Sequence, residues 1–206
     1  MDSLFTDQTT VKKIQEKLPK LFQIAELETM RGGKVGMEVG SLRERILVAL
    51  LIYKFGEQNV KTDIPITEPE ADVYVFDKPF SIKTLSNSLN GLKLVWTVDA
   101  ESAVKFSTEY VPSCDMIFEH IYWERQGGLY CIPKSVQLEI FEQMGRAEYI
   151  KLPKAGTNPR GVEMRGKALK FLVKHSETLK ISINWQKGRI EFDAFERWIE
   201  LWDNEE

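Results

Sequence analysis

The chain is short of several things that would define a class by themselves. Cysteine occurs twice, at Cys114 and Cys131, and histidine twice, at His120 and His175. Two cysteines cannot build a disulfide scaffold, and so few Cys and His argue against a zinc site. Long apolar runs are missing: the longest, Ile46 to Tyr53, has eight residues, against the roughly 20 of a helical membrane span. The start, Met1-Asp2-Ser3-Leu4-Phe5, lacks the basic-then-apolar order of a signal peptide. A GxxxxGK(S/T) phosphate loop is absent, which argues against a nucleotide cofactor. Net charge is small as well, with 28 Lys+Arg against 31 Asp+Glu in 206 residues. What is present is a hydrophobic content of 43% with 11% aromatics, which excludes a disordered chain. The expectation is a reduced, cytoplasmic protein with no membrane contact, large enough for one core.

Hydrophobic spacing orders the elements. Val11, Ile14, Leu18, Leu21, Phe22 and Ala25 recur at helical spacing, with Pro19 expected to break or kink that helix. Met30 to Gly40 reads as a glycine-rich loop. Ser41 to Phe55 reads as a helix apolar on nearly all sides, and therefore as a central, buried one. Ala71–Phe76 and Phe80–Thr84 read as strands around a turn at Asp77-Lys78-Pro79, with Leu92–Val98 a third strand. Asp99 caps a helix to about Tyr110. Asp115–Glu124 and Leu129–Pro133 form a second strand pair around Arg125-Gln126-Gly127-Gly128. A helix from Pro133 to Met144 is closed by Gly145. Residues 150–160 form a long loop, Val162 to His175 a helix, and Leu179 to Trp185 a strand. Phe195, Trp198, Ile199 and Trp202 give the chain an amphipathic end, its aromatic set serving as core or dimer contact. The order predicts an α/β (α+β) domain with a mixed central β-sheet flanked by helices, one domain over residues 1–206.

The segment Glu68 to Thr84 carries the most chemistry. With its turn centred on Asp77-Lys78, cross-strand partners sum to 155. Asp72 then faces Lys83, Tyr74 faces Ser81, and Asp72, Ser81 and Lys83 share one sheet face. A carboxylate there can hold Mg²⁺, which activates water and offsets charge on a pentavalent phosphate. A neighbouring lysine can orient the water. The plain alternative is a cross-strand salt bridge of a few tenths to about 1 kcal/mol.

The hairpin resembles that of the PD-(D/E)XK nucleases, in which a strand with a metal-binding Asp is followed by an acid, an apolar residue and a lysine. Asp72, Ile82 and Lys83 match. Over residues 38–125 the order of elements fits as well, and the chain's size is similar to that of type II restriction endonucleases. Ser81 stands where the acid is usual, and Ala71 where Pro is frequent. The resemblance implies that a glutamate from a neighbouring helix supplies the missing carboxylate, from Glu44, Glu38 or Glu101. Glu44 has a second reading: Ser41-Leu42-Arg43-Glu44 is a capping box, in which it would only reach back to the Ser41 amide. Glu101 sits in the first turn of a helix, where negative charge is favoured anyway.

Charge is divided along the chain. Residues 145–174 carry eight Lys/Arg against Glu148 and Glu163, a net of +6. Lys61 to Asp72 carries a net of −3. A basic pole for phosphates beside an acidic pole for metal suits a nuclease. In the basic segment (about 145–175), Asn158 and Arg160 suit base edges, while Lys154, Thr157 and Lys167 suit phosphates. The alternative is a connector loop followed by the solvated side of a helix. Arg31, Lys34 and Lys93 are weaker candidates, and Asn87 to Asn90 could touch the backbone near the scissile bond. The resemblance therefore implies a Mg²⁺-dependent, sequence-specific endonuclease acting on double-stranded DNA as a homodimer. In it, Asp72 with Glu44 or Glu38 would hold metal, Lys83 would position water, and Ser81 would give at most a water-mediated contact. A catalytically inactive nuclease fold that binds DNA or assembles with partners is the second reading, and Ser81 is its support. An interaction protein with no nucleic-acid role is the third.

Overall fold

In the computed structural model, residues 1–36, 38–64, 70–95, 99–151 and 161–203 are described. The chain opens with helices α1 (Asp2–Thr6) and α2 (Gln8–Glu28), then the short ribbon β1 (Met30–Arg31) and β2 (Lys34–Val35). Helix α3 (Val39–Phe55) leads to strands β3 (Val60–Lys61), β4 (Val73–Val75), β5 (Lys78–Ser86) and β6 (Gly91–Val95). Helix α4 (Ala100–Glu109), strands β7 (Asp115–Ile121) and β8 (Arg125–Ile132), and helices α5 (Lys134–Met144) and α6 (Arg146–Tyr149) follow. The last elements are β9 (Ile150–Lys151), β10 (Val162–Arg165), α7 (Gly166–Leu172), β11 (Leu179–Trp185) and α8 (Glu196–Asp203).

Six strands form the central sheet in the order β11-β8-β7-β5-β4-β3. Every pairing is antiparallel except β5 with β7, so the sheet is mixed, as the α/β reading expects. Alternation along β5 and β7 divides the core. Phe80, Ile82, Ile117 and Ile121 face α1, α2 and α3, where they meet Leu4, Phe22, Leu47 and Leu51. Met116 and Phe118 face the other side, with Val136, Ile140, Leu169 and Leu172 from α5 and α7. Strand β6 does not join the hairpin's sheet; it pairs with β10, which pairs with β9 in a separate three-stranded sheet on that second side.

Several expectations change here. Pro19 lies inside α2 without ending it. Helix α3 begins at Val39 and buries only the stripe Arg43, Leu47 and Leu51, so the all-round apolar helix is a layer on the sheet and its outer side is only partly covered. Gly127 and Gly128 are strand residues, not turn residues. A Cβ at Gly127 would overlap the His120 carbonyl oxygen, and one at Gly128 would sit 2.6 Å from the Ile181 carbonyl oxygen. Both glycines therefore permit close approach within the sheet. The turn precedes them, with Glu124 at φ 61°. Val162 to Arg165 is a strand, and only Gly166 to Leu172 is helical. The caps at Asp99 and Gly145 and the strand Leu179–Trp185 are as expected. No described helix is long and apolar enough to cross a membrane.

Candidate active site

The site is built on the β4–β5 hairpin. Phe76 and Asp77 hold φ of 50° and 60°, so the two-residue turn lies one position earlier than the sequence suggested. Pro79 explains the shift. A turn centred on Asp77-Lys78 would be closed by an N–H from residue 79 to the Phe76 carbonyl, and proline has none to offer; it sits instead in the strand opposite Tyr74. The register runs Val73↔Phe80, Tyr74↔Pro79, Val75↔Lys78. Continued by one residue, it sets Asp72 against Ser81, not Lys83. The displacement from the expected pairing is two residues, an even number, so Asp72, Ser81 and Lys83 keep their common face.

Asp72 is fixed from both ends. Its amide donates to the Phe80 carbonyl at 2.9 Å. Its Oδ2 accepts from the Ile82 amide at 2.6 Å and from Lys83 Nζ at 2.8 Å. The two side chains are only 22% and 15% exposed, so this pair is half-buried, where charges are less screened than at the open surface.

Glu44 approaches this pair from α3. Its carboxyl is raised above the ordinary range, first by burial and next by the negative charge of Asp72, while Lys83 and Arg45 pull it back. The capping-box reading of Glu44 is overturned: α3 starts two residues before Ser41, and the cap position is Glu38. Ser41 therefore has no cap role that Glu44 could complete. Glu38 itself makes no side-chain cap bond and lies 3.7 Å from Arg31 on the surface. Glu101 occupies the first turn of α4, beneath the Asp99 cap.

Ser81 is buried, and its Oγ has no hydrogen-bond partner. Two residues before Asp72, Glu70 is buried and accepts from Tyr110 Oη, Ser113 Oγ and the Ser113 amide. That anchor ties the approach to β4 to the loop before β7. The sequence offered only the Glu-x-Asp spacing as a signal for it. Cys114 lies in the same neighbourhood, its thiol pushed up to about 12 by burial and by the Glu70 charge. Among the described residues, no group of three or more His, Cys, Asp and Glu side chains is placed to hold a metal alone.

Lys154, Thr157, Asn158 and Arg160 lie outside the described residues. Lys167 is at the start of α7, 3.6 Å from Glu148. With Lys151, Arg165 and Lys170 it lines a groove of about 450 Å³ that also includes Leu89 and Asn90, at the end of the loop leaving β5. A Cβ on Gly166 would sit 2.4 Å from the Leu89 carbonyl oxygen, so α7 starts directly against that loop. Lys93 and Lys151 are partly neutralised by Glu163, at 3.2 and 2.7 Å.

Comparison with known proteins bears on the family and the fold. No curated protein matches the sequence. The family described as "Restriction endonuclease ThaI" matches over residues 4–204. A solved structure, "Restriction endonuclease in complex with substrate DNA", shares 54% identity and superposes with a TM-score of 0.89, over 98% of this chain and 97% of that one. A mixed six-stranded sheet flanked by helices, a family match spanning nearly the whole sequence and a closely similar endonuclease lead to one conclusion: the chain belongs to the ThaI restriction endonuclease family and is a type II restriction endonuclease.

Proposed function

We propose that the protein cuts double-stranded DNA at a short palindrome, with Mg²⁺ held at the β4–β5 hairpin in the manner of PD-(D/E)XK enzymes. The observation that carries this is the coupling of three side chains from separate elements. Asp72 and Lys83 are 2.8 Å apart, and the Glu44 carboxyl senses both. A carboxylate whose proton affinity is raised by a neighbouring negative charge loses that repulsion when the two share a cation. Asp72 and Glu44 are the residues that would hold the ion; Glu38, paired with Arg31 at the surface, is the weaker candidate. Mg²⁺ so bound supplies a lowered water pKa and positive charge against the extra negative charge on phosphorus.

The remaining work falls to the chain. Asp72 is oriented by the Ile82 amide, so its carboxylate does not rotate away. Lys83 presents an ammonium at the same carboxylate, where it orients the attacking water and offsets charge that grows on the phosphate. Ser81, buried with no partner of its own, would contribute at most a water-mediated contact. Lys167 and its basic neighbours beside the β5 exit support a phosphate-binding role; Lys154, Thr157, Asn158 and Arg160 are proposed as its continuation, with Asn158 and Arg160 on base edges. The two core clusters lie on the two faces of one sheet, which supports reading the whole chain as one nuclease domain. Palindromic cutting calls for two centres related by a two-fold axis, hence a homodimer. Cytoplasmic residence suits such an enzyme and the free, buried thiols.

Incubation with phage DNA and Mg²⁺ tests the reading. Discrete fragments that vanish with Lys83→Ala are expected. Uncut DNA that is still retarded in a gel would instead favour an inactive binding module.

A further inference from the structure

Among the described residues, two apolar surfaces are left open. The first is α8. Phe195, Trp198, Ile199 and Leu201 are half or more exposed, and Trp202 is 87% exposed. Phe195, Trp198, Ile199 and Trp202 recur at i, i+3, i+4 and i+7, so they form one apolar stripe. Glu196, Glu200 and Asp203 lie together along one edge of that stripe at helical spacing, with no basic residue among them.

The second is a groove of about 540 Å³ between α2 and α3. Its floor is apolar, from Ile14, Leu18 and Leu21 on one helix and Ile46 and Leu50 on the other. Its lysines, Lys13 and Lys17, both belong to the α2 wall. This is the side of α3 that the sequence marks as apolar and that the fold covers only in part, leaving Ile46 and Leu50 half-buried.

The chain's own α8 does not fill this groove. Arg197 pairs with Glu28 at 3.2 Å, at the far end of α2, and the stripe stays open. Resting on the homodimer reading above, we infer that α8 of one copy docks in the α2–α3 groove of a second copy, and reciprocally. The acidic edge of α8 complements the charge of the groove's lysines, Lys17 on the α2 wall and Lys13, whose ammonium reaches across to the Tyr53 hydroxyl on α3. The contact is made twice about the two-fold axis, so each copy covers both of its open apolar surfaces. Aromatic anchors in an apolar pocket with a charged rim are what a stable interface needs at its centre.

Sedimentation of the full-length protein tests this. A helix variant, Trp198→Glu with Trp202→Glu, and a groove variant, Leu21→Glu with Ala49→Glu, alter only surface positions of the single chain. Wild type is expected to sediment as two chains. Each variant alone is expected to associate about 30-fold or more weakly. An equimolar mixture keeps one sound helix and one sound groove, and should regain a two-chain species at concentrations where neither variant forms one. A monomeric wild type, a variant that stays dimeric, or a mixture that stays monomeric would overturn the inference. DNA cutting is scored separately. A wild-type monomer that cuts would refute the docking and leave the nuclease centre standing; the predicted exchange without cutting would do the reverse.

Discussion

Lys83 Nζ lies 2.8 Å from Asp72 Oδ2 although the two residues are not cross-strand partners. The lysine reaches past Ser81 to the carboxylate, and the Ile82 amide holds that same oxygen. A surface ion pair would be dispensable; this one is half-buried and is aligned by the backbone. Lys83→Gln should therefore lower the single-turnover cleavage rate by at least about 100-fold while DNA is still retarded in a gel shift. Retained cutting would reduce the pair to a strut within the hairpin.

Ser81 makes the opposite prediction. Its hydroxyl is buried without a partner, and removing an unsatisfied polar group is neutral or favourable. Ser81→Ala should leave the denaturation midpoint unchanged or raised, by up to about 1 kcal/mol of stability. The cleavage rate should fall by less than about tenfold, the worth of one ordinary hydrogen bond. A larger loss would give the serine a direct role.

Glu119 lies on β7 with both carboxylate oxygens buried and unpartnered. Burial pushes its carboxyl well above the usual range, only partly opposed by the Arg43 charge. A raised folded value means that the stability it allows is fully present below the ordinary glutamate pKa and is lost as pH rises toward the folded value. Glu119→Gln should leave stability unchanged in acid and raise it at neutral and alkaline pH. Chemical denaturation across that range checks the sign.

Cys114 and Cys131 are buried, and both thiols are pushed up to about 12. At pH 8 the thiolate fraction is then about one part in ten thousand. A thiol-specific reagent should titrate neither in the folded protein and both in denaturant. Rapid reaction of the native protein would show that the loop before β7 opens.

The sequence showed most clearly what depends on local pattern. The alternating β4–β5 segment, the Asp99 and Gly145 caps and strand β11 follow from spacing and turn chemistry alone. Misread positions depend on distant partners. Val162-Glu163-Met164-Arg165 alternates buried and open sites, but its strand identity comes from pairing with β6, some seventy residues earlier. Gly127 and Gly128 have turn composition, yet serve the close approach of β8 to its neighbours. The hairpin register moved by two because Pro79 has no N–H to close the expected turn, and Asp72 still meets Lys83 because two is even. For Glu44, the Ser-x-x-Glu pattern pointed to a cap, and only the earlier helix start at Val39 frees it. For Glu70 the Glu-x-Asp spacing was too slight a signal, because its partners Tyr110 and Ser113 are some forty residues away.

The Mg²⁺ dependence of single-turnover DNA cleavage tests the central claim most directly, comparing wild type with Asp72→Asn, Glu44→Gln and Glu38→Gln. Wild type and Glu38→Gln should rise along the same Mg²⁺ curve. Asp72→Asn and Glu44→Gln should remain at least about 100-fold slower at saturating metal, with folding and DNA retardation intact. Glu44→Gln cutting on the wild-type curve while Glu38→Gln fails would contradict the assignment of the second carboxylate. Undiminished cutting by Asp72→Asn would contradict the site itself.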